Sequence, residues 1–225
     1  MKLSKNLFSI TWIFLAALIM ADLYLIFFVA PEEKMQGIVQ KIFYFHVSSA
    51  FSMYFGFGLA GLGAFLYLFK RKKWMDHLSI AGGSVGLVFC SMVLVSGPLW
   101  ARPIWGTYWT WDPRLTTTLI LWLMFVAVSF LREFYGSNPR GSFFASILTL
   151  VAMLDMPLVF LAIKLWRGIH PQVLGEEESM PTSMLVTFIV SNITFIALFV
   201  QLVWLKLKAL KLEDSILQKG ETYEQ

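Results

Sequence analysis

Charge is scarce in this chain: of its 225 residues only 14% are Asp, Glu, Lys or Arg, where a water-soluble domain carries roughly 25%. Cysteine is scarcer still. Cys90 stands alone in an apolar run, which excludes a disulfide framework, a CxxC redox pair and a thiolate zinc centre. Histidine occurs three times, at His46, His77 and His170. There is no acidic tail and no collagen-like repeat, and a hydrophobic share of 58% excludes a disordered chain. What the sequence has instead is apolar length, with a mean hydropathy of +0.70. A net charge of +4 does not point to nucleic acid, because membrane proteins keep Lys and Arg on one side for topological reasons.

Crossing the hydrocarbon takes about 20 apolar residues in a helix, and six runs suffice: 7–30, 42–69, 78–101, 115–131, 141–163 and 179–205. Asp22 and Asp155 are the only Asp, Glu, Lys or Arg residues within them. The expected fold is therefore an all-α integral membrane protein with six transmembrane helices. Residues 1–205 form its membrane domain and 206–225 a cytoplasmic tail, helical at first and fraying at its polar end. The first run follows Lys2 and Lys5 like a signal peptide, yet its apolar stretch exceeds the 7–15 residues of such signals, favouring an uncleaved span. Basic residues in alternate connections divide twelve to six, the larger set including Lys2, Lys5, Lys70, Arg71, Lys72 and Lys73. This places both termini in the cytoplasm and the connections 31–41, 102–114 and 164–178 outside. The basic inner turns, with His77 beside one of them, are topological anchors.

The outer connections carry the unusual residues. Trp100, Trp105, Trp109 and Trp111 fall within twelve positions. An interfacial aromatic belt accounts for one or two of them; four on one loop suit a shelf for a large flat apolar ligand. Pro103 suits a helix start and Pro113 a helix end, so a short interfacial helix is expected between spans three and four. On its projection Trp105, Tyr108, Trp109 and Asp112 share a face and Trp111 points elsewhere.

Topology sorts the histidines. His77 follows the inner basic cluster and reads as a loop residue, whereas His46, at the outer end of the second run, and His170, in an outer connection, flank the tryptophans. Either histidine alone is most simply a hydrogen-bonded polar residue, but two imidazoles beside an aromatic platform could be the axial ligands of a haem. His46 shares a helix face with Ser49, Ala50 and Met53, small neighbours that leave room for a macrocycle. Zinc is disfavoured, because a third ligand would have to come from Asp112 or the acidic run at 176–178. Arg102, Arg114 and Arg167 could pair with a ligand's carboxylates, Arg114 foremost, or simply snorkel to the interface. Asp112, an anion, is expected to bond backbone donors or Arg114 and to fix the loop. Ala60, Ala64 and the glycine-rich 56–63 stretch suggest close helix contacts, within the chain or with a partner.

WGTYWTWDPRLT (105–116) resembles the WWD signature of the haem-handling proteins of cytochrome c biogenesis, and FYFHVSSA (43–50) and LWRGIHPQ (165–172) resemble its flanking histidine segments. With six spans and the motif between the third and fourth, the chain is most similar to the CcmC family. That resemblance implies non-covalent haem b, with His46 and His170 as axial ligands to the iron. It makes Trp105, Gly106, Trp109, Trp111, Asp112 and Arg114 of the motif the haem platform. It further implies a site on the outer face of the bacterial inner membrane. Haem would pass to the chaperone CcmE, with the small protein CcmD and the ABC-type complex CcmAB as partners. Asp155-Met156-Pro157 stands where such a protein is expected to carry Asn-x-Pro, and reads as a helix-kink position.

Three other functions compete with haem delivery. A cytochrome c haem lyase would use the same motif, but this chain has two outer histidines and no large external domain. A transmembrane b-type cytochrome needs histidines within the bundle at matched depths. A non-catalytic scaffold would use the aromatic loop to dock a protein.

Overall fold

The computed structural model describes residues 2–136, 138–166, 170 and 180–223. Among them there is no strand, only an isolated bridge between Glu33 and Gly37. The helices are α1 (Lys2–Tyr24), α2 (Ile42–Lys70), α3 (Lys73–Trp105), α4 (Pro113–Tyr135), α5 (Pro139–Met153), α6 (Asp155–Trp166) and α7 (Thr182–Tyr223). α1 ends in a π-turn at Leu25–Val29, and a 3₁₀ turn at Ile38–Lys41 leads into α2.

Six stretches are long and apolar enough to cross a membrane: Ser9–Val29, Ile38–Lys70, Lys73–Trp105, Pro113–Tyr135, Pro139–Ala162 and Thr182–Lys219. α5 and α6 make one span with a break at Leu154, where Pro157 cannot donate to the carbonyl four residues earlier. Phe14, Phe28, Phe130 and Phe160 are all more than 60% exposed, a face that suits lipid and not water. The chain is a multi-pass, all-helical membrane protein.

Without a hydrophobic drive between helices inside lipid, close packing has to come from small residues. α2 and α3 meet along such a seam. A methyl on Gly56 would fall 2.5 Å from Gly86 Cα, and one on Gly82 would fall 2.6 Å from the Ala60 nitrogen. The glycine-rich stretch of α2 thus serves contact within the chain. Beside the seam Phe57 stacks on Phe125 of α4 at 3.7 Å, inside a core that also holds Met53, Phe89 and Leu121. α1 is fastened to α7 by Asp22, which accepts from Ser191 Oγ at 2.7 Å, and by Gln201, which donates to Thr11 Oγ1 at 3.2 Å.

The ends of the bundle are tied differently. At one end Arg132 pairs with Asp76 at 2.7 Å and donates to Ser79, while Ser142 donates to Asp76 at 2.6 Å, so α3, α4 and α5 share one partly buried ion pair. α7 continues past residue 205 as one helix, and its Asp214 meets Lys73 at 2.7 Å and His77 at 3.2 Å. His77 is therefore a buried residue of the first turns of α3, not a loop residue, because Arg71 and Lys72 alone make the turn. At the opposite end Lys41 Nζ donates to the carbonyls of Ile26 at 2.6 Å and Ala30 at 3.1 Å. It thereby closes the otherwise orphaned end of the first span.

Candidate functional site

The histidine end of the bundle opens into a cavity of about 270 Å³ between α2, α3, α4 and α6. Its wall includes His46, Trp105, Trp109, Arg114, Lys164 and His170, and its deeper part Met53, Tyr54, Thr118 and Val159. Apolar side chains dominate, with a few polar groups among them, the usual make-up of a site for a small organic molecule.

His46 sits a little over one turn into α2 and is 8% exposed. Its Nδ1 lies 2.9 Å from Ser96 Oγ on α3, and its ring meets Trp100 edge-on with centroids 5.8 Å apart. Trp100 is held in turn by its indole N–H, which donates to Gln36 Oε1 at 2.9 Å. Gly97 leaves the space for the imidazole: a methyl there would fall 3.2 Å from His46 Cε1. Ala50 and Met53, the small-neighbour face expected from helical spacing, do line the cavity.

His170 faces His46 across this space, with ring centroids 6.5 Å apart and planes inclined by 32°. Trp105 meets His170 edge-on, also at 6.5 Å. A metal–imidazole bond is about 2 Å and the ring centroid lies about 1 Å beyond the nitrogen, so two imidazoles on opposite sides of one metal stand about 6 Å apart. The observed centroid separation leaves room for one metal ion between the two rings. Among the described residues no group of three or more His, Cys, Asp and Glu is gathered. A metal held here by two imidazoles needs its remaining ligands from elsewhere, as a metal inside a macrocycle has them.

The tryptophan loop differs from the expected short helix. α3 runs on through Pro98 and Pro103 to Trp105, and Gly106 ends it in the left-handed region at φ +75°. Residues 107–112 are irregular, and Pro113 begins α4 instead of ending a helix. The reason is local: a proline in a first turn sacrifices an N–H that has no partner there, and Asp112 supplies the cap by accepting from the Arg114 N–H at 2.9 Å. Asp112 thus bonds a backbone donor and fixes the loop, as its charge suggested.

The irregular loop separates residues that a helix would have aligned. Trp105 and Trp109 line the cavity, while Trp111 is 75% exposed and touches Trp109 edge-on at 5.9 Å. Tyr108 turns outward beneath the Arg102 guanidinium, which also donates to the Gly106 carbonyl, so Arg102 serves the loop and not the cavity. Arg114 is in the wall, within electrostatic reach of His46 and Tyr54. Arg167 and the acidic run at 176–178 lie outside the described residues. Sequence reasoning overlooked Lys164, a second cation in the wall carried by α6, and Ser96; the only available signal for Lys164 was its position near the end of a span.

The family model described as Heme exporter protein C matches residues 1–220. Among curated proteins, the Heme exporter protein C of Bradyrhizobium diazoefficiens is 33% identical over 177 residues, 77% of this chain and 67% of that protein. The protein of the same description from Escherichia coli K12 is 28% identical over 78% of this chain and 72% of its own length. A putative cytochrome c biosynthesis ccmC-like mitochondrial protein of Arabidopsis thaliana is 29% identical over 84% of this chain and 70% of its own.

Proposed function

The chain belongs to the Heme exporter protein C family, and from that membership and the facing histidines we propose that it binds haem for cytochrome c maturation. The observation that carries this reading is the pair His46 and His170, 6.5 Å apart in an apolar cavity walled by tryptophan.

Haem is cargo here. His46 Nε2 and a nitrogen of His170 hold the iron of non-covalent haem b from opposite sides, and Trp105 and Trp109 cover the apolar part of the macrocycle. Arg114 and Lys164 stand where cationic groups can pair with its two carboxylates, a contact stronger than one between neutral partners. Trp111, outside the cavity, offers an apolar ring at the rim. Gly106 shapes the loop through its left-handed turn, and Asp112 through its cap.

Both termini lie in the cytoplasm and the cavity opens at the outer face of the bacterial inner membrane, the orientation that the distribution of basic residues supports. The protein presents haem there to the chaperone CcmE, in an assembly with CcmD and the CcmAB complex, and makes no covalent bond itself. Transfer requires one histidine to release the iron, so the relative strength of the two ligands sets how readily haem leaves.

The test is an absorption spectrum of the purified protein, oxidised and reduced, beside the single His46→Ala and His170→Ala variants and the double variant. A Soret band that shifts in each single variant and vanishes in the double one is the expected result. Stoichiometric haem with an unaltered spectrum in the double variant overturns the ligand assignment.

A further inference from the structure

A histidine can present either ring nitrogen to a ligand, and the bond made by the other nitrogen decides which. For His46 that bond is with Ser96. The Ser96 hydroxyl lies 2.9 Å from His46 Nδ1 and 2.6 Å from the carbonyl oxygen of Met92, one turn earlier on α3. A serine has one hydroxyl proton. The Met92 carbonyl can only accept, and two oxygens 2.6 Å apart without a proton between them repel, so the hydroxyl proton is committed to Met92. The same oxygen is left to accept, and the donor facing it is a protonated Nδ1.

We propose that Ser96 is a positioning residue for His46, holding its imidazole as the Nδ1–H tautomer and leaving Nε2 as the nitrogen that faces the cavity. Three features fix the geometry besides the hydrogen bond. Trp100 meets the ring edge-on, Gly97 beside Ser96 gives it room, and the glycine seam sets the spacing of α2 and α3, so the serine and the histidine keep their register. The arrangement is that of a ligating histidine whose second nitrogen donates to an oriented acceptor, which also raises the basicity of the ligating nitrogen. The tautomer follows from the contacts in the protein alone. Its consequence for iron rests on the haem reading above.

Two measurements separate these layers. In the haem-free protein labelled with ¹⁵N-histidine, His46 is expected to show a protonated Nδ1 and an unprotonated Nε2. Ser96→Ala mixes the two tautomers and Ser96→Thr, which keeps the hydroxyl, restores the single one. An Nε2–H tautomer in the wild-type protein overturns the proposal whatever the variants do. Titrated with haem, Ser96→Ala is expected to bind 10- to 100-fold more weakly, the range for loss of such a supporting bond, and with a raised midpoint potential, because a less basic imidazole favours ferric iron less; Ser96→Thr recovers both. Unchanged affinity and potential in Ser96→Ala defeat the positioning role while leaving the haem reading intact. A wild-type protein that takes up no haem defeats the haem reading, and the tautomer is then judged on the ¹⁵N spectrum.

Discussion

Asp112 accepts the backbone N–H of Arg114 at 2.9 Å from a side chain that is itself buried, so the one acid of the tryptophan loop caps the start of α4. A cap of this kind contributes about 0.5–2 kcal/mol, and asparagine caps nearly as well as aspartate. Asp112→Asn is therefore expected to keep the melting temperature and haem content close to wild type. Asp112→Ala lowers both, since the Arg114 side chain rides on the turn that the cap secures. Thermal melts in detergent and the Soret absorbance per protein check this; equal losses in the two variants show that the charge matters and the cap does not.

Of the motif tryptophans Trp105, Trp109 and Trp111, the first two line the cavity and the third does not. Trp105→Ala and Trp109→Ala each remove aromatic wall, and each is expected to weaken haem binding about tenfold, equivalent to about 1.4 kcal/mol. Trp111→Ala takes away a ring that is 75% exposed and should leave haem affinity within about twofold of wild type. Titration of the three variants with haem gives the order directly, and a Trp111 loss as large as that of Trp105 contradicts the division.

Arg114 and Lys164 reach the cavity from α4 and α6. If they hold carboxylates, replacing them matters only when the ligand carries carboxylates. Arg114→Leu and Lys164→Met are each expected to weaken haem binding about tenfold or more, the loss for a hydrogen bond to a charged group. Binding of the haem dimethyl ester, whose carboxylates are masked, should change by less than about twofold. Equal losses for both ligands assign the two cations to the fold.

Much of this was legible in the sequence, for reasons that differ by residue. Six spans were readable because a helix in lipid must be apolar over its whole length, a signal no tertiary contact can override. Sorting polar residues by side of the membrane then brought His46 and His170 together, although nothing local links them. The loop is ambiguous in the sequence because a proline fits both the first turn of a helix and the position after its end; Asp112 and Gly106 settle which, the one by capping α4 and the other by ending α3. Tyr108 leaves the face that a helix would share among Trp105, Trp109 and itself, and Arg102 follows it, whereas Trp111 lies off that face in the helical projection and outside the cavity in the structure. Ser96 is one serine among several in apolar runs, and only the approach of α2 to α3 gives it a partner.

That approach can itself be tested, because it rests on glycines with no room for a methyl. A Cβ on Gly56 would lie 2.5 Å from the backbone of Gly86, and one on Gly82 would lie 2.6 Å from that of Ala60, so neither clash can be relieved by turning a side chain. Gly56→Ala and Gly82→Ala have to push α2 and α3 apart, an overpacking cost of about 1–3 kcal/mol. His46 and Ser96 stand on those same two helices near their histidine ends, so the separation reaches the cavity as lost haem affinity. Gly58→Ala is the control, since a methyl there meets nothing within 4 Å. Melting temperature and haem titration should both fall for Gly56→Ala and Gly82→Ala and stay near wild type for Gly58→Ala. A Gly82→Ala protein as stable as Gly58→Ala places the tight contact of the bundle somewhere other than this seam.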